Sequence, residues 1–154
     1  MLTALSKRTS TSPCETTRPW SETIKAGDII SFRFPLQNAP ANERPKARPC
    51  LVLAVSVCDG QRWLCVAYGT TIRRKARNIL GIDLSRDEAA ASGLDRATGF
   101  CGTRTVVIRT NDPALCVCPA LRTPVIGKLA DQPRKRMRIV QTRLLKKLET
   151  ADRR

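Results

Sequence analysis

The chain has 154 residues, enough for one domain with its own core, and 42% of them are apolar. Its 28 Lys and Arg against 13 Asp and Glu give a formal charge of +15, which predicts attraction to a polyanion: RNA or DNA first, an acidic protein second. Histidine is absent. That excludes Ser-His-Asp triads, histidine-based ribonuclease chemistry and His-ligated metals, so any catalysis must rest on Arg, Lys, Glu, Asp, Thr, Ser, Tyr or Cys.

Seven cysteines, Cys14, Cys50, Cys58, Cys65, Cys101, Cys116 and Cys118, are an odd number, and most lie in or beside apolar runs. Cys116-Val-Cys118 is the one close pair and lacks zinc-site spacing. The pattern predicts reduced, buried thiols in a cytoplasmic protein with neither metal nor cofactor. No apolar stretch reaches membrane-span length, and the N-terminus lacks the apolar segment of a secretory signal.

Residues 1–22 are polar and aperiodic and are expected to form a disordered tail. A single domain is expected over 23–149, with a second disordered tail at 150–154. In "GDIISFRF", Gly27 to Phe34, residues Ile30, Phe32 and Phe34 share one face, which predicts a half-buried strand ended by Pro35. Residues 36–47, with Pro40 and Pro45, read as a loop. "PCLVLAVSV", Pro49 to Val57, is apolar and rich in β-branched residues and predicts a central strand. Asp59-Gly60 is a hairpin turn signal, and "RWLCVAYGT", Arg62 to Thr70, is the returning strand. Ile72 to Asn78 reads as a basic loop, Ile79 to Leu84 as a short strand, and Ser85 to Gly93 as a short helix with Ser85 as N-cap and Gly93 as stop. Thr103 to Ile108 is a further strand, which "ALCVCPAL" extends or follows. From Asp131, as cap, Met137, Val140, Leu144 and Leu148 recur at helical period and predict a terminal amphipathic helix packed on the sheet. The sum is a mainly β, α+β domain: a small, strongly curved sheet or partly open barrel with attached helices.

The hairpin has a consequence for chemistry. Pairing around Asp59-Gly60 makes partner numbers sum to about 119, which sets Pro49 near Thr70 and Arg48 near Thr71. Arg48, the stretch Tyr68 to Thr71 and the basic loop 72–77 therefore meet at one end of the sheet. A guanidinium beside hydroxyls suits a phosphate, because arginine contacts it bidentately and threonine donates a neutral hydrogen bond.

"GDII", "RPCLVLAV" and "VAYGTT" resemble, in order and spacing, the MazF/PemK family of toxin endoribonucleases. The likeness runs from Gly27 to about Leu145 and is densest over 27–71. It implies an SH3-like barrel, usually a homodimer, that cleaves single-stranded RNA without a metal and is held in check by an acidic, partly disordered antitoxin. By resemblance Arg48 matches the catalytic arginine, Thr70 the catalytic threonine, with Thr71 its neighbour in line, and Glu43 the acid of the preceding loop. Arg44, Pro45 and Lys46 depart from the Gln and glycines common at that place in the family.

On this reading Glu43 takes the 2′-OH proton, while Arg48 and Thr70 stabilise charge on the phosphate. Arg44, Lys46, Arg73, Arg74, Lys75 and Arg77 guide the RNA backbone, and Tyr68 or Trp63 stacks a base. Plainer alternatives stand beside these: Trp63 and Tyr68 as core residues, 73–77 as a solvated loop, and the whole barrel as a non-catalytic RNA- or protein-binding module or a relative that blocks DNA gyrase by contact.

Overall fold

The computed structural model describes residues 18–35, 42–72 and 79–153. The elements, in chain order, are α1 (Trp20–Thr23), β1 (Asp28–Phe32), β2 (Arg48–Cys58), β3 (Gln61–Thr71), β4 (Gly81–Leu84), α2 (Arg86–Ala91), β5 (Thr98–Arg109), β6 (Val125–Lys128) and α3 (Asp131–Asp152). The strands form one sheet in the order β4-β5-β3-β2-β1-β6, and every neighbouring pair is antiparallel. This is a mainly antiparallel, curled half-barrel with three helices. Among the described residues no helix is long and apolar enough to cross a membrane.

Both faces of the sheet are buried. One carries Ile29, Leu51, Leu53, Ala67, Ile82, Leu84 and Phe100, and is covered by Met137 and Val140 of α3 and Ala89 of α2. The other carries Ile30, Phe32, Phe34, Cys50, Val52, Leu64, Val66 and Tyr68, closed by Trp20 and by Leu115 and Val125. β1 is therefore not half-buried: Ile30, Phe32 and Phe34 do share a face, but Ile29 fills the opposite one. Each such Ile, Leu or Phe contributes about 1.5–3 kcal/mol by leaving water.

The sheet's two edges are bridged by α2. Ser85 caps it as expected: its Oγ accepts from the Glu88 N–H at 3.2 Å, and Glu88 Oε1 accepts from the Ser85 N–H at 3.1 Å. The chain leaves α2 through Gly93 at φ 90°. There Ser92 meets β6 so closely that any side chain at Gly127 would run into the Ser92 carbonyl, and Ser92 Oγ accepts from the Ala130 N–H at 3.1 Å. Glu88 also pairs with Arg136 at 2.8 Å. That hydrogen bond, chiefly, holds the Glu88 carboxyl below its usual pKa, so the pair's contribution is present above the carboxylate range and is lost as pH falls through the lowered value.

Several expectations are corrected. Order begins before Ile24: within the stretch expected to be a disordered tail, Trp20–Thr23 forms a helical turn. Its cause is tertiary, since Arg62 of β3 donates to the Glu22 and Ile24 carbonyls at 2.8 and 2.6 Å. β5 starts at Thr98, five positions ahead of the expected Thr103. The "ALCVCPAL" stretch runs instead beside β1, with the Cys116 N–H bonded to the Ser31 carbonyl and the Arg33 N–H to the Ala114 carbonyl. β6, four residues long, has no counterpart among the expected strands.

At α3 the N-cap is Ala130, and Asp131 is the first helical residue. The helix runs to Asp152, so residues 150–152 are helical rather than a disordered tail. Leu148, expected on the packed face, is 65% exposed, because the last turns of α3 pass beyond the core. Among the described cysteines only Cys50 is buried; Cys58 is exposed and the others lie between.

The clamp from Arg62 accounts for the position of α1, which has little intrinsic reason to be ordered. Arg62→Ala is expected to lower the unfolding free energy by about 1–3 kcal/mol, the range for hydrogen bonds made by a charged donor. Urea denaturation checks this, together with faster tryptic cleavage at Lys25 in the variant.

Candidate functional site

The β2–β3 hairpin turns through Asp59 at φ 52° and Gly60 at φ 75°, two successive left-handed residues as a type I′ turn requires. From Cys58↔Gln61 to Ala54↔Cys65 the partner numbers keep the expected sum. The register then shifts between Val52 and Ala54, and the run Val52↔Val66, Leu51↔Ala67, Cys50↔Tyr68 follows. Leu53 is the extra residue of a bulge. Continued along the strands, the shifted register sets Pro49 against Gly69 and Arg48 against Thr70. The sequence-based expectation of Thr71 opposite Arg48 is one residue out, because strand counting cannot see a bulge.

The close approach is evident at Gly69. A Cβ built there would strike the Pro49 carbonyl oxygen and lie 2.9 Å from the Phe100 ring. The same backbone serves Cys50. Burial pushes the Cys50 thiol up to about 12, against the opposing pull of the Gly69 backbone hydrogen bond and of the Arg48 charge. Cys50 is thus a protonated, inert thiol near neutral pH. It also places the Arg48 cation within electrostatic reach of this face.

Side chains alternate along strands, so Arg48 follows Cys50 onto the face that Tyr68 and Thr70 share. Arg48 is half-buried and Thr70 exposed. Thr71, paired with Thr98, falls on the opposite face. Arg104 joins the cluster: its guanidinium carbon lies 4.3 Å from the centre of the Tyr68 ring. Nothing in the sequence singled it out. It reaches Tyr68 because β5 accommodates Gly102–Arg104 as an irregularity between Tyr68↔Cys101 and Ala67↔Thr105. Alternation alone does not predict a bulge of that size.

Other expected site residues distribute less simply. Tyr68 is only 9% exposed; Phe34 packs against its ring at 5.2 Å between centroids, and Arg104 lies over it. It is a core residue, not an open stacking platform. Trp63 stands seven residues before Thr70 on β3, roughly 23 Å away at the usual strand rise. It stacks with Arg109 at 4.6 Å and belongs to the other end of the sheet. Glu43, Arg44 and Lys46 are exposed on the loop entering β2. That loop is anchored by Arg33, whose Nη1 donates to the Pro45 carbonyl at 2.9 Å, and among the described residues Glu43 forms no ion pair with Arg48. Arg73, Arg74, Lys75 and Arg77 lie outside the described residues.

Two guanidiniums and a threonine hydroxyl on one rim, with no carboxylate paired to either arginine among the described residues, make an anion-binding arrangement suited to a phosphodiester. No group of three or more His, Cys, Asp or Glu side chains among the described residues is arranged to hold a metal ion. The chain matches no known family model and no curated protein.

The geometry depends on the absence of a side chain at Gly69. Gly69→Ala is expected to cost about 1–3 kcal/mol, as overpacking does, because backbone rather than a flexible side chain must yield. A lowered thermal midpoint checks this, with Cys50 becoming alkylated faster as the Pro49–Gly69 seam loosens.

Proposed function

We propose that the chain is a metal-independent endoribonuclease of the MazF/PemK type. In this reading it is an SH3-like barrel acting as a homodimeric toxin in the cytoplasm, paired with an acidic antitoxin. The observation that carries it is the bulged register, whose continuation beyond the last pair, Cys50 and Tyr68, puts Arg48 and Thr70, the two residues of the motif match, on one sheet face.

The chemistry follows from those groups. A ribose 2′-oxygen attacks the adjacent phosphorus, the phosphorus–O5′ bond breaks, and the products are a 2′,3′-cyclic phosphate and a 5′-OH. Negative charge gathers on the non-bridging oxygens. Arg48 stabilises it bidentately and the Thr70 hydroxyl adds a neutral donor, while Arg104, on the strand beyond, holds a neighbouring phosphate. Glu43 accepts the 2′-OH proton when the substrate draws its loop in; the leaving 5′-oxygen takes a proton from water. Arg44 and Lys46, with Arg73, Arg74, Lys75 and Arg77, hold flanking phosphates. Tyr68, enclosed by Phe34 and Arg104, packs the core and offers no face to a base.

A second reading is favoured by one observation. The Arg33–Pro45 bond fixes the loop in a position where Glu43 pairs with nothing at the site. Held there, the barrel binds single-stranded RNA without cutting it.

Incubation with unstructured RNA in EDTA decides between these. Cleavage leaving 2′,3′-cyclic phosphate ends is expected, and Arg48→Ala should lower kcat by about 10²–10³, the usual loss for a group that stabilises transition-state charge. RNA that is bound with a steep salt dependence but left intact supports the second reading; RNA neither bound nor cut overturns both.

Arg104→Ala tests the residue that the motif comparison does not cover. As a phosphate contact rather than the chief charge stabiliser, it is expected to raise KM about tenfold and leave kcat within a factor of about three. A kcat loss equal to that of Arg48→Ala would instead put Arg104 at the reacting phosphate.

A further inference from the structure

At the other end of β1 an open groove of about 730 Å³ lies between α1 and the turn that precedes β6. Its floor is apolar, formed by Trp20, Ile24 and Val125, and Leu121, Arg18 and Arg122 rise around it. Both walls are built rather than loose. Arg62 holds α1 through two backbone carbonyls. The turn is closed by the Cys118 N–H on the Thr123 carbonyl at 3.0 Å and the Arg122 N–H on the Cys118 carbonyl at 2.7 Å.

Two features of this turn are costly unless something uses them. Leu121 is 71% exposed. Arg122 sits at φ 53°, a left-handed conformation that is unfavourable by roughly 1–2 kcal/mol for a residue with a Cβ. Together they present a bare aliphatic side chain and a guanidinium side by side over the groove. Neither Arg18 nor Arg122 has an ion-pair partner among the described residues. The one acid of the lining, Asp28, is buried and already accepts from the Lys25 N–H at 3.0 Å.

We propose that this groove docks an acidic protein segment carrying an apolar anchor side chain, the anchor seated over Trp20 and Leu121 and the flanking carboxylates on Arg18 and Arg122. Charge complementarity selects the sign of the partner. The aliphatic lining selects peptide over nucleic acid, because sites for single strands rely on aromatic platforms along a continuous basic track, whereas here Ile24, Leu121 and Val125 surround a single half-buried Trp. Asp28 lies four residues along β1 from Phe32, the partner of Arg48, about 13 Å by strand rise. The groove and the Arg48 rim are therefore separate surfaces, and the proposal does not rest on RNA cleavage.

The probe is a short fluorescein-labelled peptide of Asp and Glu interrupted by Leu and Phe, titrated against the full chain by fluorescence anisotropy. A peptide with Ser in place of its apolar residues and a labelled oligouridylate serve as comparisons. The variants are Arg18→Ala, Leu121→Ser and Arg122→Asn; asparagine removes the guanidinium while tolerating the left-handed backbone, and Leu121 is too exposed for its loss to unfold the protein. The apolar-bearing peptide is expected to bind at least tenfold more tightly than its Ser counterpart. The Arg18→Ala/Arg122→Asn pair should weaken it tenfold or more, Leu121→Ser about fivefold, and Arg48→Ala less than twofold.

Equal binding of the two peptides, or an affinity unchanged in all groove variants, means diffuse attraction to a basic surface and overturns the proposal. So does oligouridylate binding that the groove variants weaken as much as they weaken peptide binding. Loss of RNA cleavage alone, with peptide binding intact, tells against the Arg48 site and leaves the groove standing.

Discussion

One extra residue in β2 sets the geometry of everything at the Arg48 end of the sheet. A type I′ turn at Asp59-Gly60 fixes the hairpin's register from its closed end, and if Leu53 were paired in that register rather than bulged, Arg48 would fall opposite Thr71, on the other face of β3. The bulge between Val52 and Ala54 moves the pairing back by one, so that Arg48, Cys50, Tyr68 and Thr70 share a face. A one-residue slip normally turns a strand's core residues outward. Here it does no such harm, because both faces are buried along this stretch: Leu51 and Leu53 on the helix side, Cys50 and Val52 on the other. A double-sided core lets a bulge re-aim one terminal arginine without exposing a hydrophobic residue.

The same constraint explains why Gly69 has no side chain. The shifted pairing presses the Pro49 carbonyl against the Gly69 backbone, and only the smallest residue fits. The Gly69 backbone also faces the Cys50 thiol and opposes the rise that burial imposes on it. Beyond it β2 continues beside β1 through Phe32↔Arg48, while β3 continues beside β5 through Thr70↔Gly99. Arg48 and Thr70 thus stand on the two lips of a seam that opens at its end. That position leaves both reachable from outside while their backbones are held by different neighbours.

Much of this fold was legible in the sequence. Period-two alternation locates β1, an apolar, β-branched run locates β2, the Asp59-Gly60 turn locates β3 as its return, and Ser85 with Gly93 locates α2, because each signal depends on residues close in the chain. What stayed hidden depends on distant ones. The turn at Trp20–Thr23 exists through Arg62, β6 exists because β1 had an unpaired edge, and Arg104 reaches Tyr68 only through an irregularity in β5. Arg48 and the end of β3 do lie together at one end of the sheet, but the side chains expected beside them distribute otherwise. Tyr68 has the composition of a stacking residue and the surroundings of a core one, and Trp63 is separated from the site by most of a strand's length.

The arginines sort themselves by where their donors go, and this gives a criterion that motif spacing lacks. Among the described residues a single ion pair forms, Arg136 with Glu88. Several other guanidiniums are spent on backbone carbonyls: Arg33 on Pro45, Arg62 on Glu22 and Ile24, Arg134 on Leu129, Arg143 on Ile79. Apart from the local Arg134 bond, these are clamps joining elements well apart in sequence, and five fixed donors suit arginine to that work better than lysine. Arg48, Arg104, Arg18 and Arg122 are not used so; they stand at the seam and at the groove. In a chain whose acids are too few to neutralise its bases, self-repulsion is a standing cost on the compact state. A polyanion at the seam, or an acidic segment in the groove, would relieve that repulsion at the arginines the fold itself leaves uncommitted.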